Sequence, residues 1–122
     1  MLQQSLSDSV KIISIDRQGL LVTLKQIAQK IRAEHPEVEG VRVFGSIARG
    51  DQVGTSDVDV LIVLNEVAPK KEPLDWIRLF YPYFDLPLGV DLLVYPEAEL
   101  TRRLQAGDAF FNRIWAESLR LD

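Results

Sequence analysis

Residues 45–64 read GSIARGDQVGTSDVDVLIVL, and this stretch decides how the chain folds. Its second half, Asp57 to Leu64, predicts a strand. Every position after Asp59 is apolar, so the strand is expected at the centre of a sheet with both faces covered. Two carboxylates open it at i and i+2. Side chains at that spacing project to one face, roughly 6–7 Å apart at about 3.3 Å of rise per residue. Burying the start of such a strand is unfavourable, because desolvation and mutual repulsion both oppose two ionised groups. A divalent cation held between Asp57 and Asp59 removes the conflict.

The first half of the stretch complements the second. Val41 to Phe44 predicts a short strand, and Gly45-Ser46 follows at once. Glycine permits a tight turn and a close approach of backbone to ligand. Ser46 offers a hydroxyl and an N–H at a helix start, where backbone donors favour an anion such as a phosphate. Ile47-Ala48-Arg49 can form one helical turn, and Gly50, Asp51 and Gly54 mark a loop.

Working outward, residues 1–9 are polar and expected to fray, and Val10 to Ile15 reads as a short extended lead-in. Asp16 is placed to cap a helix. Leu20, Leu21, Leu24, Ile27, Ala28 and Ile31 recur at three- and four-residue spacing, an amphipathic helix that Pro36 should end near Glu34 or His35. Val67 to Pro73 reads as a polar loop and Leu74 to Tyr81 as a short helix stopped by Pro82. Leu88 to Tyr95 reads as a third strand with an acid, Asp91, near its start. Pro96 can open another helix at its first position, running to about Gln105. Gly107 breaks it, and Asp108 caps a last helix carrying Phe110, Phe111, Ile114, Trp115 and Leu119.

The expected fold is α/β (α+β), a small mixed sheet flanked by helices. Twenty-odd residues separate the second and third strands, enough for a parallel crossover through a helix. The first two strands have little helix between them and can pair antiparallel. The Gly-Ser turn ends the first strand, whereas the acids begin the second and third. They meet at one edge only if the first strand runs antiparallel to the other two. Asp91, Leu93 and Tyr95 share one face, so three carboxylates converge if that face matches the face of Asp57 and Asp59. A phosphate-binding turn opposite three carboxylates suits two-metal phosphoryl or nucleotidyl transfer. All-oxygen ligands select hard cations, Mg²⁺ first, with Mn²⁺ also suitable.

The spacing Gly45-Ser46, ten residues, Asp57-Val58-Asp59 resembles the GSx10DxD signature of the polymerase β-like nucleotidyltransferases. The longer stretch resembles their GSxARGxxxxxSDxDxxV form, and Asp91 in VDLLVYP stands where that family carries its third acid. The resemblance runs from about residue 20 onward and implies the family's fold. It implies Asp57, Asp59 and Asp91 as catalytic metal ligands, Asp91 doubling as general base. It implies Gly45 and Ser46 as phosphate-holding residues, with Arg49 assisting. It further implies ATP as substrate and a HEPN-domain partner, because the chain most resembles the minimal nucleotidyltransferases that act as antitoxins by transferring AMP to a tyrosine of a HEPN ribonuclease toxin. The final segment, AESLRLD, departs from many relatives in lacking a Gly and a terminal Tyr. The alternatives are an antitoxin that occludes its partner without catalysis, and transfer to a small molecule such as an aminoglycoside.

The totals agree with these expectations. The chain has 122 residues, fitting one domain over 1–122, with 47% of residues hydrophobic and 26% charged. A net charge of -4 argues against broad nucleic-acid binding, which needs clustered Lys and Arg. There is no cysteine, so disulfides, thiol catalysis and thiolate metal sites are excluded. No stretch reads as a signal peptide or a membrane span, so a cytoplasmic protein is expected. His35 reads as a helix-end residue and Arg102-Arg103 as a solvated helix face. Trp76, Phe80, Phe84, Phe110, Phe111 and Trp115 read as core, or in part as an apolar patch for a partner. A core this small beside an open sheet favours association with another chain.

Overall fold

The computed structural model describes residues 16–51 and 57–122. The expectations for residues 1–15, and for Gly54 in the loop, lie outside these. The first helix, α1, spans Arg17–Glu34. Asp16 caps it by accepting the Gly19 N–H at 2.8 Å. Leu24, Ala28 and Ile31 form its buried stripe, with Leu20, Leu21 and Ile27 partly buried alongside. Full burial of a Leu or Ile side chain contributes roughly 1.5–3 kcal/mol, so this stripe anchors α1 to the sheet.

Strand β1 spans Val38–Phe44 and starts earlier than expected. The short helix α2 follows directly over Gly45–Arg49. Gly50 closes it in the left-handed conformation at φ 84°, a region glycine enters without steric cost. Strand β2 spans Val58–Leu64, so Asp57 lies just ahead of it. Helix α3 spans Pro73–Phe80 and passes into a 3₁₀ turn at Tyr81–Tyr83. Pro73 belongs to the helix, not to the loop before it: its fixed φ and missing N–H suit a first helical position. Strand β3 spans Val90–Pro96, helix α4 Glu97–Gln105 and helix α5 Ala109–Glu117.

Three further expectations are corrected. Pro96 precedes α4 as its cap, with ψ 142°, because it is still in strand register opposite Leu64. Leu119 leaves α5 and joins Arg120 in a fourth strand, β4, which pairs antiparallel with β1. Phe110 and Trp115 are outside the core, 47% and 38% exposed. Helical geometry places Phe111 and Ile114 on the inward face of α5 and turns these two aromatics away from it. Arg42 lies over the Trp115 ring at 4.1 Å, a cation–π contact that covers part of the indole.

The sheet order is β3-β2-β1-β4. β1 runs antiparallel to β2, and β2 parallel to β3, as the connection lengths allow. β2 is central, and alternation splits the core into two layers. Val58, Val60, Ile62 and Leu64 join the layer under α1 and α3. Leu61 and Val63 join Phe44, Leu100, Phe111 and Ile114 under α4 and α5. Among the described residues no helix is long and apolar enough to cross a membrane.

Candidate active site

Register brings the acids together. Asp59 stands opposite Asp91 across β2 and β3, and opposite Phe44, the last residue of β1, on its other side. Asp59 alternates with Val58 and Val60, so it shares the face of Leu61 and Val63, under α4 and α5. The end of β1 and the starts of β2 and β3 therefore lie at one edge.

Gly45 is essential to this edge. Its φ is 72°, the left-handed region, and a Cβ built on it would overlap the Asp59 carboxylate. Gly89 plays the same part for Asp57, whose carboxylate occupies the space a side chain at 89 would need. Glycine backbone thus passes directly against two of the three carboxylates.

The electrostatics show the strain of the arrangement. Asp59 is pushed up to about 6, first by burial, then by the charges of Asp91 and Asp57, a hydrogen bond with Asp91, and the charge of Glu117. Asp57 and Asp91 are exposed. Among the described residues no three His, Cys, Asp or Glu side chains are gathered into a metal-holding cluster. The close relationship is the pair Asp59–Asp91, with Asp57 acting on Asp59 through its charge. That donor set fits Mg²⁺, which is commonly bound by one or two carboxylates together with substrate phosphates. The burial and the repulsion that raise Asp59 are the imbalance a divalent cation would offset.

A cleft of about 270 Å³ opens beside Asp59, lined also by Gly45, Ser46, Arg49, Phe110 and Arg113. A larger cleft of about 580 Å³ lies at the far ends of the strands, around Leu64, Pro96 and Arg102. None of Asp57, Asp59 and Asp91 lines it, whereas Asp59 lines the smaller cleft, which is therefore the candidate site. The Gly45 N–H donates to Glu117 Oε2 at 2.6 Å. Arg49 Nη1 lies 3.1 and 3.2 Å from the same carboxylate, and its Nε reaches Asp51 at 3.1 Å. Gly45 therefore contributes space more than a free donor, while Ser46 is half-buried at the cleft and Arg49 is exposed at its rim.

Sequence reasoning missed two residues here. Glu117 lies three residues after Ile114 on α5, so an acid follows the inward face of a helix. Arg17 opens α1, where a cation opposes the helix dipole. It donates instead to the carbonyls of Ile47 and Ala48, at 2.7 and 3.0 Å. Both anomalies were legible, but neither named its partner.

The family model for the nucleotidyltransferase domain matches residues 24–116. The chain belongs to this family. Two curated relatives come from Methanocaldococcus jannaschii. "Putative protein adenylyltransferase MJ0141" is 40% identical over 60 residues, which cover 49% of this chain and 58% of that protein. "Putative protein adenylyltransferase MJ1215" is 33% identical over 67 residues, covering 52% and 71%. The match thus spans little more than half the length of the first. Among solved structures, a "putative nucleotidyltransferase from Sulfolobus solfataricus" superimposes with a TM-score of 0.59 at 30% identity, covering 70% of this chain and 75% of that one. A toxin–antitoxin structure with AMP-PNP shares the fold, with a TM-score of 0.51 at 16% identity, covering 84% and 72%. The nucleotidyltransferase domain described here accordingly has the family's mixed sheet and helices.

Proposed function

We propose that this nucleotidyltransferase domain transfers AMP from ATP to a tyrosine of a HEPN-domain ribonuclease toxin and so acts as its antitoxin. The observation that carries the reading is the register of Asp59 with Asp91 at the edge where the Gly45-Ser46 turn opens a cleft. The names of the two relatives support a protein acceptor, and the toxin–antitoxin neighbour with AMP-PNP supports a nucleotide and a partner.

In this reading the triphosphate lies in the cleft. The bare Cα of Gly45 lets it approach, Ser46 contributes a hydroxyl, and Arg113 supplies positive charge, with Arg49 at the rim shared with Asp51 and Glu117. Asp57, Asp59 and Asp91 would hold Mg²⁺, which when bound neutralises phosphate charge and makes the attacking hydroxyl more acidic. Asp91, the exposed member of the pair, takes the tyrosine proton. The tyrosine oxygen bonds to the α-phosphorus, the bond to the β-phosphate bridge breaks, and pyrophosphate leaves with its electron pair.

The test uses α-labelled ATP, Mg²⁺ and a HEPN-domain protein that binds this chain. Label on the partner, lost with Asp57→Ala plus Asp59→Ala, is the expected result. A bound but unlabelled partner would sink the reading. Neutralisation that survives the double substitution would instead indicate occlusion, and label on an aminoglycoside in place of the partner would indicate a small-molecule acceptor.

A further inference from the structure

Helix α2 has five residues, too few to sustain itself, because helix nucleation is costly and short helices rely on tertiary support. Its support comes from distant side chains. Arg17 holds its last carbonyls from 30 and 31 residues away, and Glu117 holds its first N–H from 72 residues away. We infer that Glu117 is a positioning residue for the nucleotide site: its carboxylate fixes the Gly45 N–H and the Arg49 guanidinium, and so sets the Gly45-Ser46 turn against Asp59. The inference rests on the proposed nucleotide role of that turn.

Three features carry it. The Glu117 side chain is only 16% exposed, so its carboxylate is held and does not sweep through solvent. Oε2 receives both the Gly45 N–H and Arg49, and Oε1 receives Arg49 again. Charge-assisted bonds of this kind are stronger and more directional than neutral ones. Arg49 also offsets the Glu117 charge, so the carboxylate can stand beside an anionic ligand. Finally, α5 is itself anchored. Asp108 caps its start by accepting the Phe111 N–H at 3.2 Å. Ser118, next after Glu117, accepts from Arg42 Nε at 2.8 Å, and Leu119 pairs with Val43. Glu117 therefore transmits the position of α5 and β4 to the turn.

The test compares the full chain with Glu117→Ala and Glu117→Gln. Backbone hydrogen exchange at residues 45–49 without ligand reads the turn directly. Mg²⁺–ATP affinity and the turnover of adenylyl transfer read its consequence. Glu117→Ala should raise exchange at 45–49 selectively and weaken ATP binding and turnover by about tenfold, the scale of losing a supporting hydrogen bond behind a site. Glu117→Gln keeps an oxygen for the Gly45 N–H and should restore most of both. Should Glu117→Ala fail to fold, Glu117→Asp, whose carboxylate stops one methylene short, replaces it. Unchanged exchange and affinity would overturn the inference. So would tighter ATP binding in Glu117→Ala, which would make Glu117 a competitor for the seat, or a Gln variant no better than Ala. A wild-type chain that does not bind ATP would remove the proposed function, and the exchange at 45–49 would still decide whether Glu117 holds the turn.

Discussion

The backbone of Gly45 lies directly against the carboxylate of Asp59, so close that no side chain fits between them. The contact follows from strand register, because Phe44 pairs with Asp59 and the chain turns immediately after it. Gly45→Ala meets two penalties at once: a left-handed φ that costs an L-residue about 1 kcal/mol or more, and overlap with the carboxylate. It should lower stability by more than Gly50→Ala, which has the same backbone conformation but only the Arg17 side chain nearby. Urea midpoints of the two variants check this; equal losses would show that the approach of Asp59 has no energetic consequence.

Asp59 gives a pH signature in the absence of nucleotide and metal. Its folded-state pKa is about 6 against an ordinary value of 3.8. Between these values the folded state holds the proton more tightly than the unfolded state does. Stability is therefore highest below about pH 4 as far as this group is concerned, and falls as pH rises through about 6. Asp59→Asn removes the partly buried charge and its repulsion, and should melt higher than wild type at pH 7.5, with the gap closing near pH 4. Because Asp59 is only partly buried, solvent screening keeps the effect modest. A lower melting temperature for Asp59→Asn at pH 7.5 would contradict the cause assigned to the shift.

Mg²⁺ with ATP should raise the melting temperature of the wild-type chain. A ligand at 100 times its Kd adds about 2.7 kcal/mol by linkage. Asp59→Asn should lose most of this rise while remaining folded. Scanning calorimetry with EDTA, with Mg²⁺ alone and with Mg²⁺–ATP separates the contributions.

Arg17→Met keeps the aliphatic stem and deletes the donors to Ile47 and Ala48. Leaving those carbonyls unpaired should cost about 1–3 kcal/mol. Hydrogen exchange should rise first at Gly50 and Asp51, whose N–H groups both close on Ser46.

Leu121 is 3% exposed, and its N–H bonds to the Val41 carbonyl at 2.9 Å. Leu121→Ala should destabilise the fold by about 2–5 kcal/mol, as for other buried leucines. A chemical-denaturation midpoint unchanged from wild type would show that the last strand is not part of the cooperative core.

Much of this protein was legible in local pattern. The stripe from Leu20 to Ile31 specified α1, because a three-to-four spacing has only one regular structure that buries it. The apolar run after Asp59 specified a covered central strand. The acids at 57, 59 and 91 stood out as charges at the starts of apolar strands, and the GSx10DxD spacing named the family. What local pattern could not supply was the pairing of the last strand and the meeting of distant side chains. Leu119 and Arg120 carry no strand signal strong enough to outweigh the helix before them, and they become a strand only because β1 offers an open edge. The outward turn of Phe110 and Trp115 depends on which side of α5 meets the sheet. Glu117 and Arg17 find the two ends of α2 only once α1, α2 and α5 are assembled. Spacing along the chain determined which residues stand at the candidate site, since alternation and helical period are local. Only tertiary structure decided what holds them, since side chains 72 residues apart meet through packing and not through sequence.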